Sequence, residues 1–361
     1  MGKRVLAGLS GGVDSSVAAA LLVERGYDVI GVTLKLYDYD DLGFDPPDGG
    51  CCSIDLIEDA RAACSRLGIP HYVIDLRDIF QKKVIDNFIE SYDRGRTPNP
   101  CVNCNTYIKW GEMLKTADKL DCDYIATGHY ARIERRGDHP RLLKGLDPSR
   151  DQSYALWGIS ARGLGRTLFP LGDILKRETR EIAGRLGLRN ADRPDSQDIC
   201  FVPANDYSYI IRKKLGADSP SLKSGPILDI DGREIGRHKG IAAYTIGQRR
   251  GLGISDKRPL YVTGIDPEHG SITVGTDDCL FASRFSAVDL NLLVEKENIP
   301  ERIEAQIRYR HEPSPARLSL KGNAAEIIFE VPQRAITPGQ SVVFYSGDLV
   351  LGGGIIDVIS E

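Results

Sequence analysis

The chain has 361 residues, of which 41% are hydrophobic and 27% are charged. This composition suffices for buried cores in two or three domains, and it excludes a chain that is disordered throughout. The net charge of −4 excludes a uniformly basic nucleic-acid coat. Basic residues nevertheless outnumber acidic ones between residues 92 and 260, while both flanking stretches are acidic. Charge alone leaves two interpretations open, a positive face for a polyanion or ordinary scatter of surface charge.

The sequence contains no run of about 20 apolar residues that would span a membrane. The amino terminus, MGKRVLAGLSGG, reaches glycine and aspartate too early for a signal peptide. We therefore expect a cytoplasmic protein with no membrane partner. In that compartment the eight cysteines are better read as reactive or metal-binding thiols than as a disulfide framework.

Short apolar runs alternate with helical patterns over the first 200 residues, which predicts an α/β fold with a parallel sheet covered on both faces. The predicted strands are Val5–Leu9, Val29–Leu34, His71–Asp75 and Tyr124–Thr127. The predicted helices are Ser15–Arg25, Asp55–Leu67 and Leu175–Leu186. Loops are expected at Asp38–Gly50, Arg94–Asn105 and Asn190–Phe201.

After about residue 205 the pattern changes to short strands with glycine-rich turns, which is typical of a small closed β-barrel. The strands expected there are Gly225–Asp231, Tyr261–Asp266, Ser271–Gly275, Ile303–Tyr309, Ala316–Leu320, Ala325–Phe329, Ser341–Tyr345 and Gly353–Val358. We therefore predict an α/β domain at 1–204, a small basic central domain at 205–270 and a β-barrel at 271–361.

The string SGGVDSS (Ser10–Ser16) lies between a predicted buried strand and a helix. It has neither the lysine of a Walker loop nor the spacing of a dinucleotide fingerprint. Two glycines, several hydroxyls and a helix N-terminus would together suit a pyrophosphate group. Asp14 is unusual at an anion site, and a Mg²⁺ ion bridging to the phosphates would explain it. The alternative is an ordinary tight turn with a serine cap.

The full string resembles the signature of the PP-loop ATP pyrophosphatases, which adenylate a substrate and release pyrophosphate. Other motifs are similar to those of one branch, the tRNA-uridine 2-sulfurtransferases or tRNA-specific 2-thiouridylases. They are TPNPCVNCNTYIKW (Thr97–Trp110), ATGHYAR (Ala126–Arg132), RDQSYAL (Arg150–Leu156), DSQDICF (Asp195–Phe201), YTIGQRRGLG (Tyr244–Gly253) and RYR (Arg308–Arg310).

The resemblance covers almost the whole chain and implies a fold, an activity and partners. The fold would be a PP-loop domain of the adenine nucleotide alpha hydrolase type, followed by the central domain and a tRNA-binding barrel. The activity would be ATP- and Mg²⁺-dependent 2-thiolation of the wobble uridine in the tRNA anticodon loop. The sulfur would come from a persulfide relay protein.

Two cysteines fall on the catalytic pair of this family, Cys104 and Cys200. Adenylation of the uracil C2 oxygen makes AMP the leaving group, and a persulfide carries a nucleophilic sulfur. A second thiol releases that sulfur by exchange and leaves an internal disulfide. By the resemblance Cys200 carries the persulfide and Cys104 is the second thiol. Cys64 and Cys122 are expected in or near the core.

The resemblance also implies binding residues. Those for ATP are Gly8, Leu9, Ser10, Gly11, Gly12, Val13, Asp14, Ser15, Leu34 and Gly128, the last leaving space for the adenosine. Those for tRNA are Asn99, Pro100, Cys101, His129, Arg150, Asp151, Gln152, Arg308, Tyr309 and Gln340. Tyr92, Arg94 and Arg96 would add aromatic and cationic groups beside the cysteine loop.

Cys101 departs from the family pattern, in which many members have aspartate with a proposed acid–base role. Cys101, Cys104 and Cys200 would together supply three thiolates for a [4Fe–4S] cluster with one open iron site, an alternative route to thiolation. Two further alternatives are a PP-loop ligase acting on a small molecule and a non-enzymatic iron–sulfur or tRNA-binding module. The ligase would leave both catalytic cysteines without a role.

Overall fold

A computed structural model describes residues 2–38, 54–136, 139–189, 199–202, 207–216 and 218–360. Most of the predicted loop Asp38–Gly50, Cys51, Cys52 and the first nine residues of Asn190–Phe201 lie outside the described residues. Within the described residues, no helix is both long and apolar enough to cross a membrane.

The helices alternate with strands in the first half of the chain, and strands dominate the second half. The α-helices are α1 (Val13–Glu24), α2 (Ile54–Leu67), α3 (Arg77–Phe80), α4 (Asp86–Asp93), α5 (Pro100–Asn103), α6 (Leu114–Lys119), α7 (Ala161–Gly165), α8 (Lys176–Arg185) and α9 (Tyr207–Leu215). Two segments, Gln81–Ile85 and Cys104–Met113, have π-helical hydrogen bonding.

The strands are β1 (Arg4–Gly8), β2 (Asp28–Lys35), β3 (His71–Asp75), β4 (Tyr124–Ala126), β5 (Ala131–Arg136), β6 (His139–Lys144), β7 (Thr167–Leu168), β8 (Gly225–Leu228), β9 (Glu234–His238), β10 (Tyr261–Asp266), β11 (Ser271–Gly275), β12 (Phe281–Leu292), β13 (Arg302–Gln306), β14 (Ser314–Lys321), β15 (Ala324–Arg334), β16 (Ser341–Ser346) and β17 (Leu349–Ser360).

The chain divides into two compact units. The first contains Met1–Val84, Cys101–Asn205 and Asp348–Val350. The second contains Ile85–Pro100, Asp206–Gly347 and Leu351–Glu361.

The first unit is built on a five-stranded parallel sheet in the order β3-β2-β1-β4-β7. The chain moves outward from β1 through β2 to β3 and then returns to the other side of β1 with β4. The carboxyl ends of β1 and β4 therefore flank the point at which the strand order reverses. In open parallel sheets this point is the usual place for a ligand.

Helix α1 is buried along most of its length because Val17, Ala18 and Leu22 pack into the core around β1. It ends at Gly26, which has φ +79° and donates its N–H to the Val23 carbonyl. Glycine adopts this left-handed conformation without the steric cost that a side chain brings.

The parallel sheet and the helices that alternate with its strands confirm the predicted α/β fold.

The second unit contains two β-structures. A four-stranded sheet in the order β10-β11-β8-β9 surrounds a core that includes Ile227, Val262 and Ile272. Strands β12 to β17 form a closed barrel, because β12 pairs with both β15 and β17. The predicted small central domain and barrel are thus confirmed as architecture, while the domain bounds stay a prediction.

Three expectations about local structure are wrong, and one of them is the strand at Gly225–Asp231, which ends at Leu228. The segment Arg94–Asn105 is not a loop throughout, since a helix begins at Pro100 and continues through the π-helical segment from Cys104. Proline suits the first helical turn because its missing N–H has no partner there in any case. The strand expected at Ile303–Tyr309 ends at Gln306.

A turn replaces the end of that strand. The His311 N–H donates to the Arg308 carbonyl at 3.1 Å, and Arg310 has φ +66°. Arg308, Tyr309 and Arg310 therefore lie in this turn and not on a strand.

The barrel core supplies a test of the fold. Phe285 on β12 is 1% exposed with its ring 5.8 Å from that of Phe329, whereas Phe281 on the same strand is 48% exposed. We predict that Phe285→Ala lowers the free energy of unfolding by about 3–5 kcal/mol because it leaves a cavity. Phe281→Ala is the matched control, with a change within about 0.5 kcal/mol. Denaturant unfolding measures both, and equal effects would contradict the placement of β12.

Candidate active site

The glycine loop lies between β1 and α1 and is held by its own serine hydroxyls. Ser15 Oγ accepts the Ser10 N–H at 3.1 Å and donates to the Gly12 carbonyl at 3.0 Å. Ser10 Oγ lies 3.3 Å from the Ser15 hydroxyl, and Ser10 is exposed. Gly12 is the N-cap of α1, so the positive end of the helix dipole faces this loop. The arrangement suits an anionic group such as a pyrophosphate.

Two glycines in this region have no room for a side chain. Gly11 has φ +77°, and a Cβ there would lie 2.3 Å from the Leu56 carbonyl oxygen on α2. A Cβ on Gly128, just beyond β4, would lie 2.7 Å from the Asp14 carbonyl carbon and 2.8 Å from the Ser15 nitrogen. Close packing on the first turn of α1 therefore requires glycine at position 128. This requirement holds whether or not adenosine binds there.

Asp14 is paired with a lysine. Both of its carboxylate oxygens accept hydrogen bonds from Lys176 Nζ, at 2.7 and 2.8 Å, and the Tyr130 hydroxyl donates to it at 3.0 Å. Lys176 belongs to the first turn of α8 and is buried. The ammonium neutralises the carboxylate that would otherwise oppose an anion at the start of α1. Sequence reasoning missed this partner because it lies 162 residues away.

Because both carboxylate oxygens of Asp14 already accept hydrogen bonds within the protein, Asp14 is not positioned to bind Mg²⁺. Among the residues that the structure describes, no group of three or more His, Cys, Asp or Glu side chains is placed to hold a metal ion. Mg²⁺ fits this site as an ion carried by the phosphates of ATP, since it commonly keeps water and phosphate ligands and takes few from the protein.

His129 connects the segment after β4 to the π-helical segment. Its Nδ1 lies 2.7 Å from Thr127 Oγ1, and its Nε2 lies 3.4 Å from Lys109 Nζ. An ammonium only donates, so Nε2 is the acceptor and Nδ1 carries the proton. Burial, together with the Lys109 charge, holds the pKa of His129 well below its usual range. The ring is therefore neutral, packed against Trp110 and Phe169.

The predicted catalytic cysteines have different surroundings. Cys104 is half-buried and begins the π-helical segment, whereas Cys101 is exposed on α5. π-Helical turns are rare and frequently occur at functional sites. Five residues span little more than one such turn, so Cys104 and Lys109 lie near the same side of the segment. The thiol-bearing helix thus contacts the segment after β4 through Lys109.

Cys200 is half-buried in a turn that aromatic residues hold in place. The Tyr37 hydroxyl donates to the Cys200 carbonyl. The Phe201 ring lies 5.8 Å from that of Phe80, which in turn lies 5.9 Å from that of Tyr37. The sequence analysis did not identify Tyr37 and Phe80 as neighbours of Cys200. The only sequence signal for an aromatic environment was Phe201, which directly follows Cys200.

Two other cysteines are chemically quiet, as predicted. Cys64 and Cys122 are buried, and burial raises the pKa of each thiol to about 11. Thiolate is the reactive form, so both are poor nucleophiles at neutral pH. Cys279 is exposed in the second unit.

Several predicted tRNA contacts make internal contacts in the first unit. Asp151 accepts hydrogen bonds from the Gly145 and Ser153 N–H groups at 2.8 and 3.1 Å. Gln152 accepts the Tyr130 N–H at 3.0 Å. Arg150 is half-buried beside them. These side chains hold the chain against Tyr130, and their predicted role in binding tRNA stays a prediction.

The remaining predicted tRNA contacts lie in the second unit. Tyr309 is exposed, and Arg308 donates to the Arg334 carbonyl at 2.9 Å. Gln340 donates to the Thr97 and Pro98 carbonyls. Asn99 and Pro100 follow directly.

Two residues expected to face tRNA are otherwise engaged. Tyr92 is buried and stacks on Tyr207 with ring centres 5.5 Å apart. Arg96 forms an ion pair with Asp357 at 2.7 Å.

The fold and the glycine loop define a PP-loop nucleotide-binding protein with an appended β-barrel, and comparison with protein families agrees. Residues 3–204 match the family described as "tRNA methyl transferase HUP domain". Residues 216–276 match "tRNA methyl transferase PRC-barrel domain", and residues 282–356 match "Aminomethyltransferase beta-barrel domain".

Full-length relatives carry the name tRNA-specific 2-thiouridylase MnmA. The relative from Clostridium botulinum (strain Alaska E43 / Type E3) is 47% identical over 360 residues, covering 99% of this chain and 98% of its own. That from Carboxydothermus hydrogenoformans is 48% identical, covering 98% of both. That from Clostridioides difficile (strain 630) is 46% identical, covering 99% of both. The chain belongs to the tRNA-specific 2-thiouridylase family.

Among solved structures, a 4-thiouridine synthetase–RNA complex with bound ATP aligns with 56% of this chain and 46% of its own. The identity is 21% and the TM-score is 0.34.

The His129 environment supplies a pH prediction. Lys109→Met removes one of the two causes that lower the His129 pKa, so the pKa should rise toward 6.5 while burial keeps it below that value. NMR titration of the His129 ring measures the shift. Lys115→Met is the matched control, because Lys115 pairs with Glu112 and should leave the His129 pKa unchanged. An unchanged or lower pKa in Lys109→Met would contradict the Lys109–His129 contact.

Proposed function

We propose that this chain replaces the C2 oxygen of the wobble uridine in tRNA with sulfur and converts ATP to AMP and pyrophosphate. One observation carries the proposal. Gly128 packs on the first turn of α1, and the adjacent His129 contacts Lys109, five residues after Cys104. The nucleotide loop and the thiol-bearing helix thus belong to one packed group of residues.

The first step activates the uracil. The C2 oxygen attacks the α-phosphorus of ATP, the bond to the β-phosphate breaks, and pyrophosphate leaves. The loop from Ser10 to Ser15 and the N-terminus of α1 hold the departing negative charge, and Lys176 cancels the charge of Asp14. Mg²⁺ would travel with the phosphates and add positive charge there. Leu34 and Gly128 would bound the adenosine.

The second step transfers sulfur. The terminal sulfur of a Cys200 persulfide attacks C2 of the adenylated uracil, and AMP leaves with the former C2 oxygen. The Cys104 thiolate then attacks the Cys200 sulfur, so a Cys104–Cys200 disulfide forms and the thiouridine is released. The two thiols supply the two electrons that reduce the transferred sulfur. An external dithiol must reduce the disulfide before the next turnover.

The partners follow from this chemistry. A persulfide-bearing donor protein would load Cys200, and tRNA would be the second substrate. Residues 1–204 would carry out catalysis, with residues 205–270 and the barrel at 271–361 gripping the tRNA. Cys101, Asn99 and Pro100 would face the target base. Further contacts would come from His129, Arg150, Asp151, Gln152, Arg308, Tyr309 and Gln340. The reaction would take place in the cytoplasm.

The other routes have less support. Cys101, Cys104 and Cys200 are all described, and they do not form a group placed to hold a metal ion, so they do not fit a [4Fe–4S] cluster in this structure. A small-molecule ligase would give no reason for the aromatic residues that hold the Cys200 turn.

The purified chain with ATP, a persulfide donor and unmodified tRNA tests the proposal. We predict tRNA-dependent release of pyrophosphate and formation of 2-thiouridine, read by mass spectrometry of nucleosides. Cys200→Ser and Cys104→Ser should each lower thiolation by at least about a thousandfold, because neither hydroxyl carries or releases sulfane sulfur. Cys279→Ser is the matched control and should retain activity.

Three outcomes would contradict the proposal. Pyrophosphate release that requires an amino acid or keto acid in place of tRNA would favour the ligase. Full thiolation by Cys200→Ser would remove the persulfide assignment. Thiolation activity that depends on about four bound iron atoms per chain, and that is lost in Cys101→Ser, would favour the cluster route.

A further inference from the structure

The π-helical segment Cys104–Met113 is docked on residues that follow the predicted tRNA contacts at 150–152. We call residues 153–158 the platform, which begins with the short 3₁₀ turn Ser153–Ala155. The platform and the segment both belong to the first unit. Because residues 150–152 directly precede the platform, a contact that fixes Cys104 to the platform also fixes its position relative to those residues.

Asn105 makes the first contact with the platform. It directly follows Cys104 and is 3% exposed. Its Nδ2 donates to the Ala155 carbonyl at 2.8 Å, and a carbonyl only accepts, so this bond sets the orientation of the amide. Ala155 ends the 3₁₀ turn, where carbonyl groups have no partner within the turn. Asn105 therefore supplies a partner that the turn itself lacks.

The side-chain oxygen of Asn105 has a different environment. Oδ1 is buried, and no donor to it is found in the described parts of the chain. A buried acceptor without a partner lowers stability, and an apolar side chain of similar shape would avoid that cost. Stability alone therefore does not explain an asparagine at this position. What the amide contributes is the Nδ2 bond, which fixes the position of the chain beside Cys104.

Thr106 makes the second contact with the platform. A Cβ on Gly158 would lie 2.1 Å from Thr106 Oγ1 and 3.3 Å from Thr106 Cβ. Gly158 does not have a positive φ, so its backbone conformation would allow a side chain. The close approach of Thr106 is therefore the reason that position 158 has no room for one.

Trp110 holds the segment one turn further along. The i→i+5 hydrogen bonds of a π-helix place Asn105 and Trp110 on nearly the same side. The Trp110 Nε1 donates to Thr167 Oγ1 at 2.6 Å, and a Cβ on Gly163 would lie 3.0 Å from Trp110 Cδ1. Because this next turn is anchored, Cys104 moves away from the platform only if the contacts of Asn105 and Thr106 are broken.

We propose that Asn105 is a positioning residue that holds Cys104 at a fixed place relative to the platform and to residues 150–152. Asn105 acts through its bond to Ala155 and does not itself touch the substrate. A tRNA bound at residues 150–152 would then meet a thiol whose position is already set. This catalytic consequence rests on the proposed function, whereas the contact itself can be tested without substrate.

Asn105→Leu is the sharpest variant, because leucine has the same branched shape and removes both the donor and the side-chain oxygen. Asn323→Leu is the matched control, since Asn323 is exposed in the turn between β14 and β15. Cys279 is exposed in the second unit and gives an internal standard for alkylation.

Gly158→Ala tests the docking from the platform and serves if Asn105→Leu fails to fold. The added Cβ would collide with Thr106 Oγ1 and displace the start of the segment. Thr106→Ala removes that oxygen, so combining it with Gly158→Ala should return the protein toward wild-type behaviour.

In the reduced protein without tRNA or ATP, we expect Cys104 of Asn105→Leu to be alkylated about threefold faster or more, because release of the segment makes a half-buried thiol more accessible. Peptide mass spectrometry resolves Cys104 from Cys279, whose rate should not change. With tRNA, ATP and a persulfide donor, kcat should fall about tenfold while the KM for tRNA stays within about twofold. Gly158→Ala should behave in the same way, and Asn323→Leu should match the wild-type chain.

Three results would overturn the proposal. One is an unchanged rate of Cys104 alkylation in Asn105→Leu, or in Gly158→Ala if Asn105→Leu does not fold. The second is faster alkylation with an unchanged kcat, which would mean that the docking does not position the chemistry. The third is a defect of Gly158→Ala that Thr106→Ala does not relieve. A wild-type chain without thiolation activity would count against the proposed function, and faster alkylation of Cys104 in Asn105→Leu would still support the contact.

Discussion

The close approach of Gly128 to the first turn of α1 is the constraint on which the candidate site depends. The backbone at 128 lies so near Asp14 and Ser15 that no Cβ fits between them. This contact joins the segment after β4 to the glycine loop after β1, across the point where the strand order reverses. Parallel β-strands place their carboxyl ends together, and the absent side chain brings the two segments into direct contact.

The charges around this contact are arranged to favour an anion. Asp14 is neutralised by a buried lysine, so the start of α1 keeps the positive potential of its helix end. His129 stays neutral because burial and Lys109 both disfavour its protonated form. The ring therefore accepts a hydrogen bond from Lys109. Thus the four ionisable groups, Asp14, Lys176, His129 and Lys109, have separate tasks.

Local sequence patterns predicted the parts of the structure that local interactions determine. Strands β3, β10 and β11 have the predicted bounds, and the glycine loop lies at the expected strand–helix junction. The buried positions of Cys64 and Cys122 also followed from the elements around them. Periodicity and turn residues act over a few positions, so they report on such features.

Contacts between distant residues were not predictable in this way. The contacts of Lys176 with Asp14, of Tyr37 with Cys200 and of Gln340 with Thr97 each join residues more than 160 positions apart, and no local period encodes them. The helix at Pro100 was missed because two prolines and few apolar residues resemble a loop. The internal contacts of Gly128 with α1 and of Gln340 with Thr97 and Pro98 also join distant residues, and the predicted binding roles of Gly128 and Gln340 stay predictions.

The central claim is that ATP activates the C2 oxygen of one uridine so that sulfur can replace it. A tRNA that carries ¹⁸O at C2 of the wobble uridine tests this directly. After one turnover with ATP and a persulfide donor, mass spectrometry should find the ¹⁸O in the phosphate of AMP and sulfur at C2. Unlabelled AMP, with the ¹⁸O released to water or retained in the tRNA, would contradict the account.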